Sequence, residues 1–249
     1  MIESVFGLDQ VLVAAFTMFA GATIFCTVGF GIGVTTIPVL LLFFDPQTVV
    51  VVINTVSLPM FSLVVYQTRK NISMKEVIPL AISALVGIPI GLFVLASVEG
   101  GILRVSIAIL VILLVPMAAV NSRFRIPSSR GVVIAAGIVT STILTAFGVG
   151  GALLVLAFLT RNMARHTLRG SLSLFFLIVE SASVIGYVIT GMFTPDRIFL
   201  TTTGILPVIL GFFLSVFIAR RMNELVFKKA LIGTVIMTSL VVLVREIIL

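Results

Sequence analysis

The sequence predicts an all-α polytopic membrane protein built from two inverted repeats. Three observations carry that reading: the composition, the lengths of the uncharged runs, and a pair of matching glycine clusters. Of 249 residues, 60% are hydrophobic and 10% charged, whereas a soluble domain carries about 25% charged residues. Such a chain cannot cover a water-facing surface, which excludes soluble enzyme folds. Sixteen Lys+Arg against nine Asp+Glu give a net charge of +7. In a soluble protein that excess would suggest nucleic acid; here it fits loops that obey the positive-inside rule, and no nucleic-acid partner is expected. The single cysteine, Cys26, excludes intrachain disulfides, and with only His166 beside it a Cys/His metal cage has no ligands. No metal or cofactor is expected. The first ten residues contain acids and no basic stretch, so no cleavable signal peptide is expected either.

A charge at the bilayer centre is costly, so uncharged runs mark the membrane segments in order. They are 10–44, 46–68, 77–98, 105–122, 131–160, 170–195 interrupted only by Glu180, 198–219 and 230–244. About 20 helical residues span the roughly 30 Å hydrocarbon core. Six runs fit one span each, the last with Lys228 and Lys229 snorkelling. Runs 10–44 and 131–160 would be roughly 52 and 45 Å long as single helices, so each is expected to fold back on itself. Both break at glycines: Thr27-Val-Gly-Phe-Gly-Ile-Gly33 and Thr145-Ala-Phe-Gly-Val-Gly-Gly151. Non-helical backbone at membrane depth is tolerated only inside protein or beside a water-filled cavity. Glycines can also serve close helix packing, but packing does not explain the length of the two runs.

The breaks belong to a repeat. Phe30-Gly-Ile-Gly33 matches Phe147-Gly-Val-Gly150, Asn54-Thr-Val-Ser-Leu58 matches Gly170-Ser-Leu-Ser-Leu174, and Gly87-Ile-Pro-Ile-Gly91 has a counterpart in Pro207-Val-Ile-Leu-Gly211. The chain therefore reads as one membrane domain, 1–249, with repeat 1 over about 1–120, a linker over about 121–130 and repeat 2 over about 131–249. With eight simple spans, the basic residues divide evenly between the two sides. When each long run counts as two passes, one side collects Arg69, Lys70, Lys75, Arg123, Arg125, Arg130, Arg161, Arg165, Arg169, Arg220, Arg221, Lys228 and Lys229, and the other keeps Arg104, Arg197 and Arg245. That bias places the linker in the cytoplasm and both termini outside. Each half then has five membrane elements, a re-entrant pair plus three spans, for about 8–10 segments in all. An odd number inverts the second half relative to the first, and inverted repeats with broken helices mark secondary transporters.

The short helices expected to restart at about Val34 and Ala152 would point their N-termini into the membrane interior. A helix N-terminus presents free N–H groups and partial positive charge, which suits an anion. The candidate binding residues are Gly31, Gly33, Gly148, Gly150 and Gly151 at the breaks, and Thr35 and Thr36 as hydroxyl donors. Asn54 and Ser57, with Ser171 and Ser173 by repeat symmetry, come from the following helices. A lone Ser or Thr in a membrane helix more often bonds its own backbone; the symmetric placement beside both breaks makes the two readings even. Glu180 is the one acid deep within a run. It is either an ion-coupling group, with a proton or another ion as partner, or a neutral acid bonded to a neighbouring helix.

The segment Gly29-Phe-Gly-Ile-Gly-Val-Thr-Thr-Ile-Pro38, its counterpart Gly148-Val-Gly-Gly151, the Ser/Thr-bearing helix after each and the length near 250 residues resemble the TauE/SafE-type sulfite exporter family, also called the toluene-sulfonate uptake permeases. The resemblance covers nearly the whole chain. It implies transport of sulfur-containing anions such as sulfite, sulfoacetate, taurine or other sulfonates across a prokaryotic inner membrane. The residues themselves point to an anion; only the resemblance supplies the sulfur. The resulting expectation is a non-enzymatic, alternating-access secondary transporter, embedded in lipid, with a homo-oligomer left open. A passive anion channel and a membrane assembly factor or enzyme are the rival readings, the last weakened by the lack of a catalytic pair.

Overall fold

The computed structural model describes residues 6–28, 31–119, 130–151, 154, 163–218, 239, 240, 242–244 and 246. The restart expected at Ala152, the linker apart from Arg130, most of run 230–244, Gly29 and both chain ends lie outside them. All regular structure among the described residues is helical: α1 (Leu8–Val28), α2 (Ile32–Leu40), α3 (Pro46–Thr68), α4 (Met74–Ser97), α5 (Gly100–Ala119), α6 (Arg130–Phe147), α7 (Arg165–Ile189) and α8 (Pro195–Ile218). Six of these, all but α2 and α5, are long and apolar enough to cross a membrane, and α5 contributes a shorter apolar stretch, Gly100–Leu114. The protein is an all-α polytopic membrane protein. Its outward face is apolar, with Phe16, Ile82, Phe93, Val188 and Phe217 exposed where lipid would lie, while Thr, Ser and Asn side chains are buried inside.

The first long run does fold back. Helix α1 ends at Val28 and α2 begins at Ile32, with Gly31 between them at φ 108°. That is the left-handed region, which a Cβ disfavours and glycine tolerates. Helix α2 therefore starts two residues earlier than the sequence suggests. Pro38 consequently stands in its interior rather than its first turn, where it leaves the Val34 carbonyl without its helical donor. At the second break α6 ends at Phe147 and Gly148 takes φ 70°. Gly31 and Gly148, which match in the two tetrapeptides, thus both take a positive φ. A capping motif starts α3, where Asp45 accepts from Thr48 N–H at 2.8 Å and Pro46 occupies the first turn.

Helix α4 packs chiefly on α6, and α1 on α8, pairs that exchange when the halves are swapped. Glycine makes both approaches close. A Cβ at Gly91 would stand 2.8 Å from the Thr142 carbonyl, and one at Gly211 would stand 3.0 Å from Ala22 Cβ, the small-residue contact expected between membrane helices. Hydroxyls add interhelical bonds: Ser141 donates to the Ala84 carbonyl at 2.9 Å and Thr142 to that of Gly87 at 3.1 Å. The equivalent helices α3 and α7 run antiparallel. Asn54 meets Tyr187, the Phe61 and Phe176 rings lie 5.4 Å apart, and Thr68 abuts Gly170. Antiparallel pairing of equivalent helices is the relation an inverted repeat requires.

The charges sort to the two ends of the bundle. Arg69, Lys70 and Arg169 lie at the end where Ser73 N–H bonds Ser171 Oγ at 3.0 Å. Lys75 begins α4 there, level with Arg130 at the start of α6. At the opposite end Arg104 pairs with Glu246 at 2.9 Å, and Arg197 reaches Asp45 at 3.5 Å. Arg123, Arg125, Arg161, Arg220, Arg221, Lys228, Lys229 and Arg245 lie outside the described residues.

Candidate functional site

The two breaks meet. A Cβ at Gly33 would collide with the Gly148 carbonyl, and one at Gly148 would collide with Ile37 and stand 3.6 Å from Asn54 Oδ1. Between the breaks lies a small pocket. Its lining includes Gly31, Ile32, Gly33 and Val34 from the first break, Gly148, Val149 and Gly151 from the second, and Glu180 from α7. Helix α2 begins on this pocket with glycine at its N-cap and no side-chain cap. The N–H groups of its first turn point away from any intrahelical acceptor, so Gly33 and Val34 present donors and the positive end of a helix dipole to the pocket.

Aromatic rings close the side toward Arg169. Phe25, Phe61 and Phe176 line the pocket, with centroid separations of 4.9 Å for Phe25–Phe61 and 6.2 Å for Phe25–Phe176. On the side toward Arg197 a buried polar network fixes the second break. Tyr187 donates to the Thr145 carbonyl at 2.6 Å and accepts from Asn54 Nδ2 at 2.9 Å. Asn54 Nδ2 also donates to the Leu144 carbonyl at 3.1 Å, and the Thr145 and Ser183 hydroxyls share a bond of 2.7 Å. Asn54 Oδ1 is buried without a partner.

Glu180 is 2% exposed, and its Oε2 has no hydrogen-bond partner. No basic residue is among the described residues that line the pocket. The carboxyl group therefore faces the same space as the glycine breaks, with no counter-charge among the described residues lining it. No three His, Cys, Asp or Glu side chains among the described residues come together as a metal site.

The remaining candidates take other places. Thr35 donates to the Gly31 carbonyl at 2.7 Å and Ser57 to that of Ile53 at 2.6 Å, each within its own helix. Thr36 is buried against Gly21 of α1, its hydroxyl without a partner. Gly150 turns back on α6, where a Cβ would stand 2.6 Å from the Thr140 carbonyl. Ser171 accepts from Ser73 N–H near the Arg169 end, and Ser173 is fully buried with no partner for Oγ. The pocket thus brings together Gly31, Gly33, Gly148, Gly151 and Glu180, with Asn54 beside Gly148. The sequence reading passed over Tyr187, although it stands seven residues beyond Glu180 on the same helical face and is one of only two tyrosines. Nothing in the sequence distinguishes Phe25, Phe61 and Phe176 among 20 phenylalanines.

A model of the family described as sulfite exporter TauE/SafE matches residues 13–242. No curated protein and no solved structure matches the chain.

Proposed function

Since the chain belongs to the sulfite exporter TauE/SafE family, a family of membrane transporters of sulfite or related anions, we propose that it is a secondary transporter holding a small sulfur-containing anion at the paired glycine breaks. The observation that carries this reading is the uncapped N-terminus of α2 opening on the pocket that Gly148 and Gly151 complete. Sulfite and sulfonates spread negative charge over three oxygens, which several backbone N–H donors can share. A hydrogen bond to a charged group contributes about 1.5–3 kcal/mol, so a few of them offset much of the dehydration without a lysine or arginine at membrane depth. The antiparallel α3–α7 pair and the exchanged α4–α6 and α1–α8 contacts support two inverted halves, whose rocking about the pocket would give alternating access.

Glu180 supplies the coupling in this account. An ionised carboxylate and an anion in one low-dielectric pocket repel strongly, so anion occupancy favours the protonated acid and a proton travels with the substrate. Tyr187, one helical stripe further, is the nearest other titratable group on α7. The charge division between the ends supports the Arg169 end as cytoplasmic and both termini outside, and the family supports a prokaryotic inner-membrane location. Tags at Met1 and Leu249 would then be accessible from outside, and a tag within 121–130 from the cytoplasm.

The test of function is titration of the purified protein with sulfite, methanesulfonate, sulfate and acetate, followed by flux in proteoliposomes. Saturable sulfite or sulfonate binding with saturable flux is expected. Flux that rises linearly with concentration would make the protein a channel, and preference for acetate would remove the sulfur-anion assignment.

A further inference from the structure

Helix α7 carries Arg169, Ser173, Phe176, Glu180, Ser183 and Tyr187 at alternating steps of four and three residues. That spacing holds them on one face. Phe176 and Glu180 place this face on the pocket, and Ser183 and Tyr187 continue it into the network beyond. The other direction leads to Arg169, about 16 Å from Glu180 at the helical rise.

Arg169 and Ser173 have donors to spare. Among the described residues Arg169 makes one long bond to an oxygen, Nη2 to Gln67 Oε1 at 3.3 Å, and touches the Cys26 thiol, while its Nε is buried without an acceptor. That thiol, on α1, also neighbours the Ser215 hydroxyl of α8. Among the described residues no carboxylate pairs with it. One turn deeper, the Ser173 hydroxyl makes no bond, although Ser57 and Ser183 each bond the carbonyl four residues back. Arg197 at the opposite end differs, since it donates to Thr48, Met192, Gln47 and Asp45 and is wholly engaged by protein.

We propose that Arg169 and Ser173 form a second anion subsite, separated from the central pocket by the Phe25–Phe61–Phe176 layer, which receives the sulfite or sulfonate group on its way to or from the glycine breaks. The assignment rests on the transport reading above. Guanidinium N–H groups match an oxyanion in a planar fork, and the serine hydroxyl one turn deeper supplies a donor in the direction of travel. Cations are disfavoured there by the arginine. A purely structural arginine would have its Nε satisfied, as buried polar groups generally are.

The test is radiolabelled sulfite transport by the full chain in proteoliposomes, reading the half-saturating concentration at the Arg169 face. Arg169→Gln is expected to raise it about tenfold or more and Ser173→Ala about threefold. Arg169→Lys, which keeps the charge and loses the fork, falls between wild type and Arg169→Gln. Lys70→Gln, an exposed charge at the same end, leaves the value unchanged. Each variant is first shown to be monodisperse in detergent; where Arg169→Gln does not fold, Arg169→Lys and Ser173→Ala carry the test. Unchanged values in the Arg169 and Ser173 variants, or an equal rise in Arg169→Gln and Lys70→Gln, overturn the subsite. Absence of saturable sulfite transport in the wild type overturns the functional reading itself, and the subsite with it.

Discussion

The Tyr187 hydroxyl donates to the Thr145 carbonyl oxygen at 2.6 Å and so ties α7 to the last turn before the second glycine break. Because the Tyr187 hydroxyl also accepts from Asn54 Nδ2, removing it leaves two buried groups short of a partner. Tyr187→Phe is expected to destabilise the protein by about 1–3 kcal/mol, read as a lower Tm in detergent. Ser57→Ala, which removes a bond within a single helix, is expected to shift Tm much less.

At the N-terminus of α3, the value of Arg197 lies in its bonds rather than its ion pair. The guanidinium bonds Thr48 Oγ1 at 2.9 Å and the Met192 carbonyl at 2.8 Å, whereas Asp45 is 3.5 Å away and 57% exposed in its side chain. Exposed pairs of this kind contribute about 0–1 kcal/mol. Arg197→Gln should therefore lower Tm substantially. Asp45→Asn, which keeps a good N-cap for α3, should leave it nearly unchanged. Equal losses in the two variants would show that the ion pair dominates.

Glu180→Gln keeps the size of the side chain and removes its titration. Sulfite binding is expected to persist, while flux loses its dependence on pH and on an imposed proton gradient. Comparing flux with and without the gradient in proteoliposomes checks this; a variant that remains proton-driven would assign Glu180 a structural role.

How much of this was legible in the sequence depends on the kind of signal. Run length exposed the fold-back at Gly31, because a helix of that length does not fit a bilayer. The tetrapeptide match anticipated the shared positive φ of Gly31 and Gly148, and the absence of other deep acids singled out Glu180. Side-chain direction was not legible. Consecutive helical residues differ by about 100°, so Thr35 and Thr36 cannot face one pocket together: one bonds its own helix and the other lies on Gly21. Reading the two helices by symmetry also misleads, since α3 and α7 run antiparallel and their matched stretches come to opposite depths. Asn54 accordingly stands on the Arg197 side of the pocket, while Ser171 lies near the Arg169 end. Tyr187 depends on a partner more than 40 residues away in sequence, which no local pattern announces.

The central claim is that the anion sits where the two breaks meet, and the most direct measurement is the sulfite Kd of purified, monodisperse Gly33→Val. A side chain at Gly33 must displace the Gly148 carbonyl and intrude on the α2 N-terminus that holds the anion. The account predicts that this variant remains helical and inserted while losing sulfite affinity by about a hundredfold or more, the equivalent of one or two charge-assisted bonds. Gly131→Ala, where a Cβ meets nothing within 4 Å, should bind as the wild type does. A Gly33→Val protein that binds sulfite with unchanged Kd would contradict the account and move the site away from the glycine breaks.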